Sequence, residues 1–127
     1  MTKGESELKI EVFGRVQGVR FRHFVKNIAE NLMAKGYVTN RPDGSVLIIV
    51  QGAKNILEKF LTLVQKGSLL SKVDGASYYW RKKTKDYDGF EILIDKKFIL
   101  DQKSSFINLG KQLIKIGKNN SIPDGNL

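Results

Sequence analysis

Between positions 14 and 22 the sequence reads Gly14-Arg15-Val16-Gln17-Gly18-Val19-Arg20-Phe21-Arg22, and these residue types at this spacing can hold an anion. Two glycines allow the positive φ that a concave turn often needs, so successive N–H groups can curl inward. A helix opening directly behind the loop adds unpaired N–H groups and the positive end of its dipole. Arg22 then presents a planar fork of donors that matches phosphate oxygens. Together these parts make a cradle for a small dianion. Many strand-to-helix corners carry glycine only to turn, however, and neither GxGxxG nor GxxxxGK[ST] is present. On spacing alone, the cradle and the plain corner stand equally open.

The flanking elements decide whether such a loop would be held firmly. Leu8, Ile10 and Val12 alternate and predict a strand over 8–13. Phe24, Val25, Ile28, Ala29 and Leu32 fall on one face and predict a helix over 21–35, with Gly36 as its C-cap. A second strand follows over 37–41. Pro42-Asp43-Gly44-Ser45 has turn chemistry, and the β-branched run 46–51 returns as a third strand, completing a hairpin. Ile56, Leu57, Phe60, Leu61 and Val64 stripe a second helix over 53–65. A fourth strand is expected near 76–81 and a short fifth over 90–94. The order β-α-β-β-α-β predicts an α+β, ferredoxin-like sandwich: an antiparallel sheet with two helices on one face, plus a C-terminal extension.

Composition narrows the chemistry. The chain has no cysteine, which excludes disulfides, thiolate metal sites and a cysteine nucleophile, and its single histidine, His23, excludes a multi-histidine metal site. No cofactor or metal is expected. No apolar run approaches the ~20 residues that span a bilayer, so the expectation is a cytoplasmic protein without a membrane partner, acting as a monomer. At 127 residues it holds one domain, over 1–95, with an appendage over 96–127. The net charge of +9 suggests anionic partners, and a disproportionate share of it lies from Lys96 onward. In that appendage Ser104-Ser105 can cap a helix carrying Phe106, Leu109, Leu113 and Ile116 on one side, ahead of a frayed end. Leu47, Ile49 and Leu93 fall opposite the inward alternation, so the expected role of this helix is to cover the outer face of the sheet.

A second polar signal is Asn40, at the end of the strand reading Gly36-Tyr37-Val38-Thr39-Asn40. A carboxamide beside the cradle can hold a water in line with a bound phosphorus, although on spacing alone a turn cap before Pro42 is the better reading. Taken together, the 14–22 loop, this strand with Asp43-Gly44-Ser45-Val46, and Gly89-Phe90-Glu91-Ile92 closely resemble the acylphosphatase family over about residues 7–95. Two motifs of that length, in order and at the right spacing, are specific. The resemblance implies metal-independent hydrolysis of a small-molecule acyl phosphate to a carboxylate and inorganic phosphate. It implies that the backbone of Gln17, Gly18, Val19, Arg20, Phe21 and Arg22, with the Arg22 side chain, binds the phosphoryl group. It implies too that Asn40 orients the attacking water, with the substrate phosphate taking the proton. Arg20 departs from the family pattern, where a small or uncharged residue is common; its side chain is expected at the loop rim, raising affinity for anionic substrates. His23 is read as packing or solvated.

The competing class is a basic nucleic-acid-binding module of the same topology, without catalysis. The third strand, Ser45-Val46-Leu47-Ile48-Ile49-Val50, lacks the aromatic RNP1 pattern that stacks bases. Lys82, Lys83 and Lys85 beside Tyr79 and Trp80 leave only a weaker, nonspecific mode.

Overall fold

The computed structural model describes residues 5–83 and 85–94. The expected appendage over 96–127, including its helix and its role on the sheet, lies outside the described residues. The elements run β1 (Glu5–Arg15), α1 (Phe21–Asn31), β2 (Lys35–Asn40), β3 (Val46–Ala53), α2 (Lys54–Lys66), β4 (Lys72–Arg81) and β5 (Phe90–Leu93). One five-stranded sheet has the order β4-β1-β3-β2-β5. Four strands pair antiparallel, as expected of the ferredoxin-like arrangement, and the short β5 adds parallel to β2, so the sheet is mixed.

Alternation along the strands sends Leu8, Ile10 and Val12 of β1, Val46, Ile48 and Val50 of β3, and Val38 of β2 to one side. There they meet Phe21, Val25 and Ala29 of α1 and Leu57, Phe60 and Val64 of α2, all buried. Each such side chain contributes about 1.5–3 kcal/mol by leaving water. This core sets the positions of both helices. Because α1 connects two parallel strands, β1 and β2, its first turn lies at the sheet edge where both of those strands end.

The sequence expectation for the end of α1 is corrected. The helix stops at Asn31, Met33 takes a left-handed conformation (φ 58°), and Gly36 lies inside β2 rather than capping the helix. Pairing of 35–40 with β3 outweighs the helical stripe. Gly36 has φ 140°, and a Cβ there would sit 1.9 Å from the Ile49 carbonyl oxygen, so the close approach of two strands fixes this glycine. β4 also starts earlier than expected, at Lys72, because its pairing with β1 continues past an irregularity between Phe13 and Gly14.

The outer face of the sheet is partly covered within the described residues. Glu7 is fully buried there; Arg81 Nε and Gln51 Nε2 donate to its two carboxylate oxygens, and Gln51 also donates to the Lys85 carbonyl. Tyr87 packs edge-on against Tyr37, with centroids 5.8 Å apart. Ile49, expected on the outer face, is only 2% exposed, whereas Leu93 is 41% exposed. Among the described residues no helix is long and apolar enough to cross a membrane.

Candidate active site

The segment between β1 and α1 begins with Val16, buried and serving as an anchor, and continues through Gln17, Gly18, Val19 and Arg20. Gly18 (φ 74°) and Arg20 (φ 61°) are both left-handed. Such turns point successive amides toward a common centre. Among the described residues, the N–H groups from Gln17 through Arg22 donate to no protein acceptor; the first bond of the helix is Phe24 N–H to Arg20 O at 3.1 Å. Arg20 is the N-cap of α1 but offers no side-chain cap, and no acidic residue occupies the first turn. The helix's own first turn therefore leaves the positive end of its dipole uncompensated.

Arg22, half-buried on that first turn, makes no side-chain hydrogen bond or ion pair among the described residues. Arg41, by contrast, is engaged: its Nη1 lies 3.0 Å from Glu11 Oε2 on the outer side of the sheet. Of these two arginines, the one left to meet an anion is Arg22. Arg15 and Arg20 are exposed and also lack a partner among the described residues, and His23 is exposed.

The position of Asn40 follows from the strand register. Asn40 pairs with Val46, and Val46 pairs with Val12, so Asn40 lies two strands from β1, about 10 Å. It alternates with Tyr37 and Thr39 and shares the side of Val38, which is the helix side. The same edge carries the loop and the start of α1. Asn40 Oδ1 is buried without a partner among the described residues, which costs about 1–3 kcal/mol unless water or a ligand satisfies it. The turn-cap role that spacing favoured for Asn40 belongs instead to Asp43: its Oδ1 accepts from Ser45 N–H at 2.9 Å and Ser45 Oγ–H at 2.6 Å. These bonds, the hydroxyl's first, hold the Asp43 carboxyl below its ordinary range.

One residue has a structural part that its sequence position did not reveal. The Gln17 carboxamide nitrogen donates to Arg41 O at 2.8 Å and to Ser45 O at 2.9 Å, tying the loop to the β2–β3 turn. Gln17 thus ties the loop that carries the free amides to the hairpin that carries Asn40. These contacts span 24 and 28 residues, so no local pattern signals them. Lys26 adds a second tie, donating to Phe90 O at 2.8 Å and pairing with Glu30 at 2.9 Å, which fixes α1 against β5.

Most of the cations and rings considered for nucleic acid are engaged within the domain, the exposed Lys82 excepted. Lys9 lies over Tyr79, Lys54 over Trp80 and Lys85 over Tyr87, while Lys83 pairs with Glu5 and Asp86. Among the described residues, no group of three or more His, Asp and Glu side chains converges as metal ligands would.

Comparison with known proteins identifies the family and the fold. The sequence profile of the Acylphosphatase family matches residues 8–92. An acylphosphatase of Archaeoglobus fulgidus is 42% identical over 85 residues, covering 67% of this chain and 94% of that protein. One from Bacillus licheniformis is 44% identical over 85 residues, covering 67% and 91% respectively. The crystal structure of acylphosphatase from Bacillus subtilis superposes with a TM-score of 0.67 at 39% identity, covering 69% of this chain and 98% of that one.

Proposed function

The chain belongs to the acylphosphatase family and hydrolyses acyl phosphates, and from that premise we propose which of its residues carry the reaction. The N–H groups of Gln17, Gly18, Val19, Arg20, Phe21 and Arg22 and the Arg22 guanidinium hold the phosphoryl oxygens. Asn40 holds the attacking water. The observation that carries this reading is the buried Asn40 Oδ1 at the end of the sheet that also carries six amides and the Arg22 guanidinium, all without a partner among the described residues.

The chemistry needs little more. Water oxygen attacks phosphorus while the bond from phosphorus to the acyl oxygen breaks, and the carboxylate leaves with the electron pair. Accepting a hydrogen bond from the water, Asn40 Oδ1 orients it so that an oxygen lone pair faces phosphorus. The water proton passes to a phosphoryl oxygen of the substrate. Asp43, held ionised by Ser45, is a poor proton acceptor, and Glu11 is committed to Arg41. Phosphoryl transfer rests mainly on positioning and on stabilising charge over the equatorial oxygens. A carboxylate is a good leaving group and asks for little acid assistance. Charge-assisted bonds of about 1.5–3 kcal/mol each suffice for the cradle.

The reaction is metal-independent in this reading, and we place it in the cytoplasm, carried out by a monomer on a small-molecule substrate. A chelator-treated assay on benzoyl phosphate tests the assignment. The wild-type chain keeps its turnover, whereas Arg22→Ala loses both turnover and inhibition by inorganic phosphate. Near-normal turnover in Arg22→Ala, or loss of wild-type activity to the chelator, rejects it. Gel filtration returning a dimer overturns the monomer.

A further inference from the structure

The cradle accounts for one guanidinium, Arg22, yet the same short stretch holds a second at its rim. Arg20 is exposed and makes no side-chain hydrogen bond or ion pair among the described residues. It also occupies a left-handed conformation, φ 61° and ψ 28°, which glycine or asparagine adopts at lower cost. Neither the backbone nor a contact among the described residues accounts for an arginine here. Its main chain caps α1, so its side chain starts at the edge of the anion cradle.

The surrounding charges do not cancel it. The first turn of α1 has no acidic residue, and Arg15 and Arg22 are likewise unpaired among the described residues. Glu11 is taken by Arg41, and Asp43 accepts two hydrogen bonds from Ser45. With Arg22 assigned to the phosphoryl group, the exposed Arg20 guanidinium is the charge left over on the same short segment, available to the part of the substrate that the amides do not hold.

We propose that Arg20 is a specificity residue: its guanidinium pairs with a carboxylate, or a second phosphate, on the acyl half of the substrate, so that acyl phosphates with an anionic acyl group are preferred. The proposal rests on the reading of residues 17–22 as the phosphate cradle. An anion on the substrate gains from an unpaired guanidinium both in steering and in a charge-assisted contact.

The test compares benzoyl phosphate with para-carboxybenzoyl phosphate, two anhydrides that differ by one distal negative charge. The wild-type chain favours the carboxylated substrate in kcat/KM, and high salt erodes that preference. Arg20→Asn keeps a residue that tolerates the left-handed backbone and removes the charge; the ratio of the two kcat/KM values falls about tenfold. Arg20→Lys retains most of the ratio. A ratio unchanged in Arg20→Asn, or lost equally in Arg20→Lys, overturns the role of Arg20 whatever the absolute rates of the variants. A wild-type chain that cleaves neither anhydride brings down the cradle reading as well.

Discussion

Gln17→Met separates the two halves of the site without removing a group from either. The substitution keeps the length of the side chain and deletes the amide that donates to Arg41 O and Ser45 O. Neither carbonyl is orphaned: Ser45 O still accepts from Arg41 N–H at 2.9 Å, and Arg41 O from Gly44 N–H at 3.1 Å. The stability loss is then the net worth of two ordinary hydrogen bonds, about 2 kcal/mol in all. Against a typical total of about 5–15 kcal/mol, the variant stays folded. The kinetic effect is larger in kind. The amides and Arg22 lie on one continuous stretch, whereas Asn40 reaches the site from the hairpin, so the loss of the brace lets water and phosphorus drift relative to each other. A misplacement of about 1 Å costs on the order of a hundredfold. We expect kcat on benzoyl phosphate to fall about 10- to 100-fold, with inhibition by inorganic phosphate changed far less. Urea unfolding, run alongside, establishes that the protein assayed is folded. A folded variant with kcat within twofold of wild type refutes the argument, as does a loss of phosphate affinity that matches the loss of kcat.

Other consequences are as direct. Gly36→Ala places a methyl 1.9 Å from the Ile49 carbonyl oxygen at φ 140°, and should cost about 3 kcal/mol or more; an unchanged melting temperature contradicts the strand register described. Asp43 contributes a pH-dependent increment, because its folded carboxyl titrates below its ordinary value of 3.8. That increment is complete at higher pH and is lost as pH falls through the lower, folded value. The melting-temperature gap between wild type and Asp43→Ala should therefore be level near neutrality and shrink in acid; a gap independent of pH removes Ser45 as the cause. Arg81→Met leaves the buried Glu7 carboxylate without its guanidinium and should destabilise the domain by about 3 kcal/mol, read by urea unfolding. Stability equal to wild type would show that the pair is replaceable.

Much of this architecture could be read from residue spacing, and the misses share a cause. The alternation in β1 and β3 and the stripes of both helices are local patterns, and they located the core and the topology. Gly36 was misplaced because the need for glycine there arises from a strand 13 residues away at Ile49, while the local pattern resembled a helix end. Glu7 lies opposite the inward alternation of Leu8, Ile10 and Val12, yet it is buried, its carboxylate held by Arg81 and by Gln51, which is itself tied to the Lys85 carbonyl. The loop could be recognised from glycine spacing and Arg22, whereas the tie made by Gln17 could not, since it depends on how the hairpin returns to the loop. Asn40 is a visible polar signal, but only the family resemblance tips it toward holding water; its local surroundings favour a turn cap, a part that Asp43 fills.

The central claim is that the main chain and Arg22 capture the phosphoryl group while Asn40 aims the water. Asn40→Ala, assayed for turnover of benzoyl phosphate and for inhibition by inorganic phosphate in the same preparation, tests that division of labour most directly. The account predicts a kcat lower by on the order of 10²–10³ with phosphate inhibition nearly unchanged. Turnover close to wild type, or phosphate affinity falling together with kcat, would contradict it.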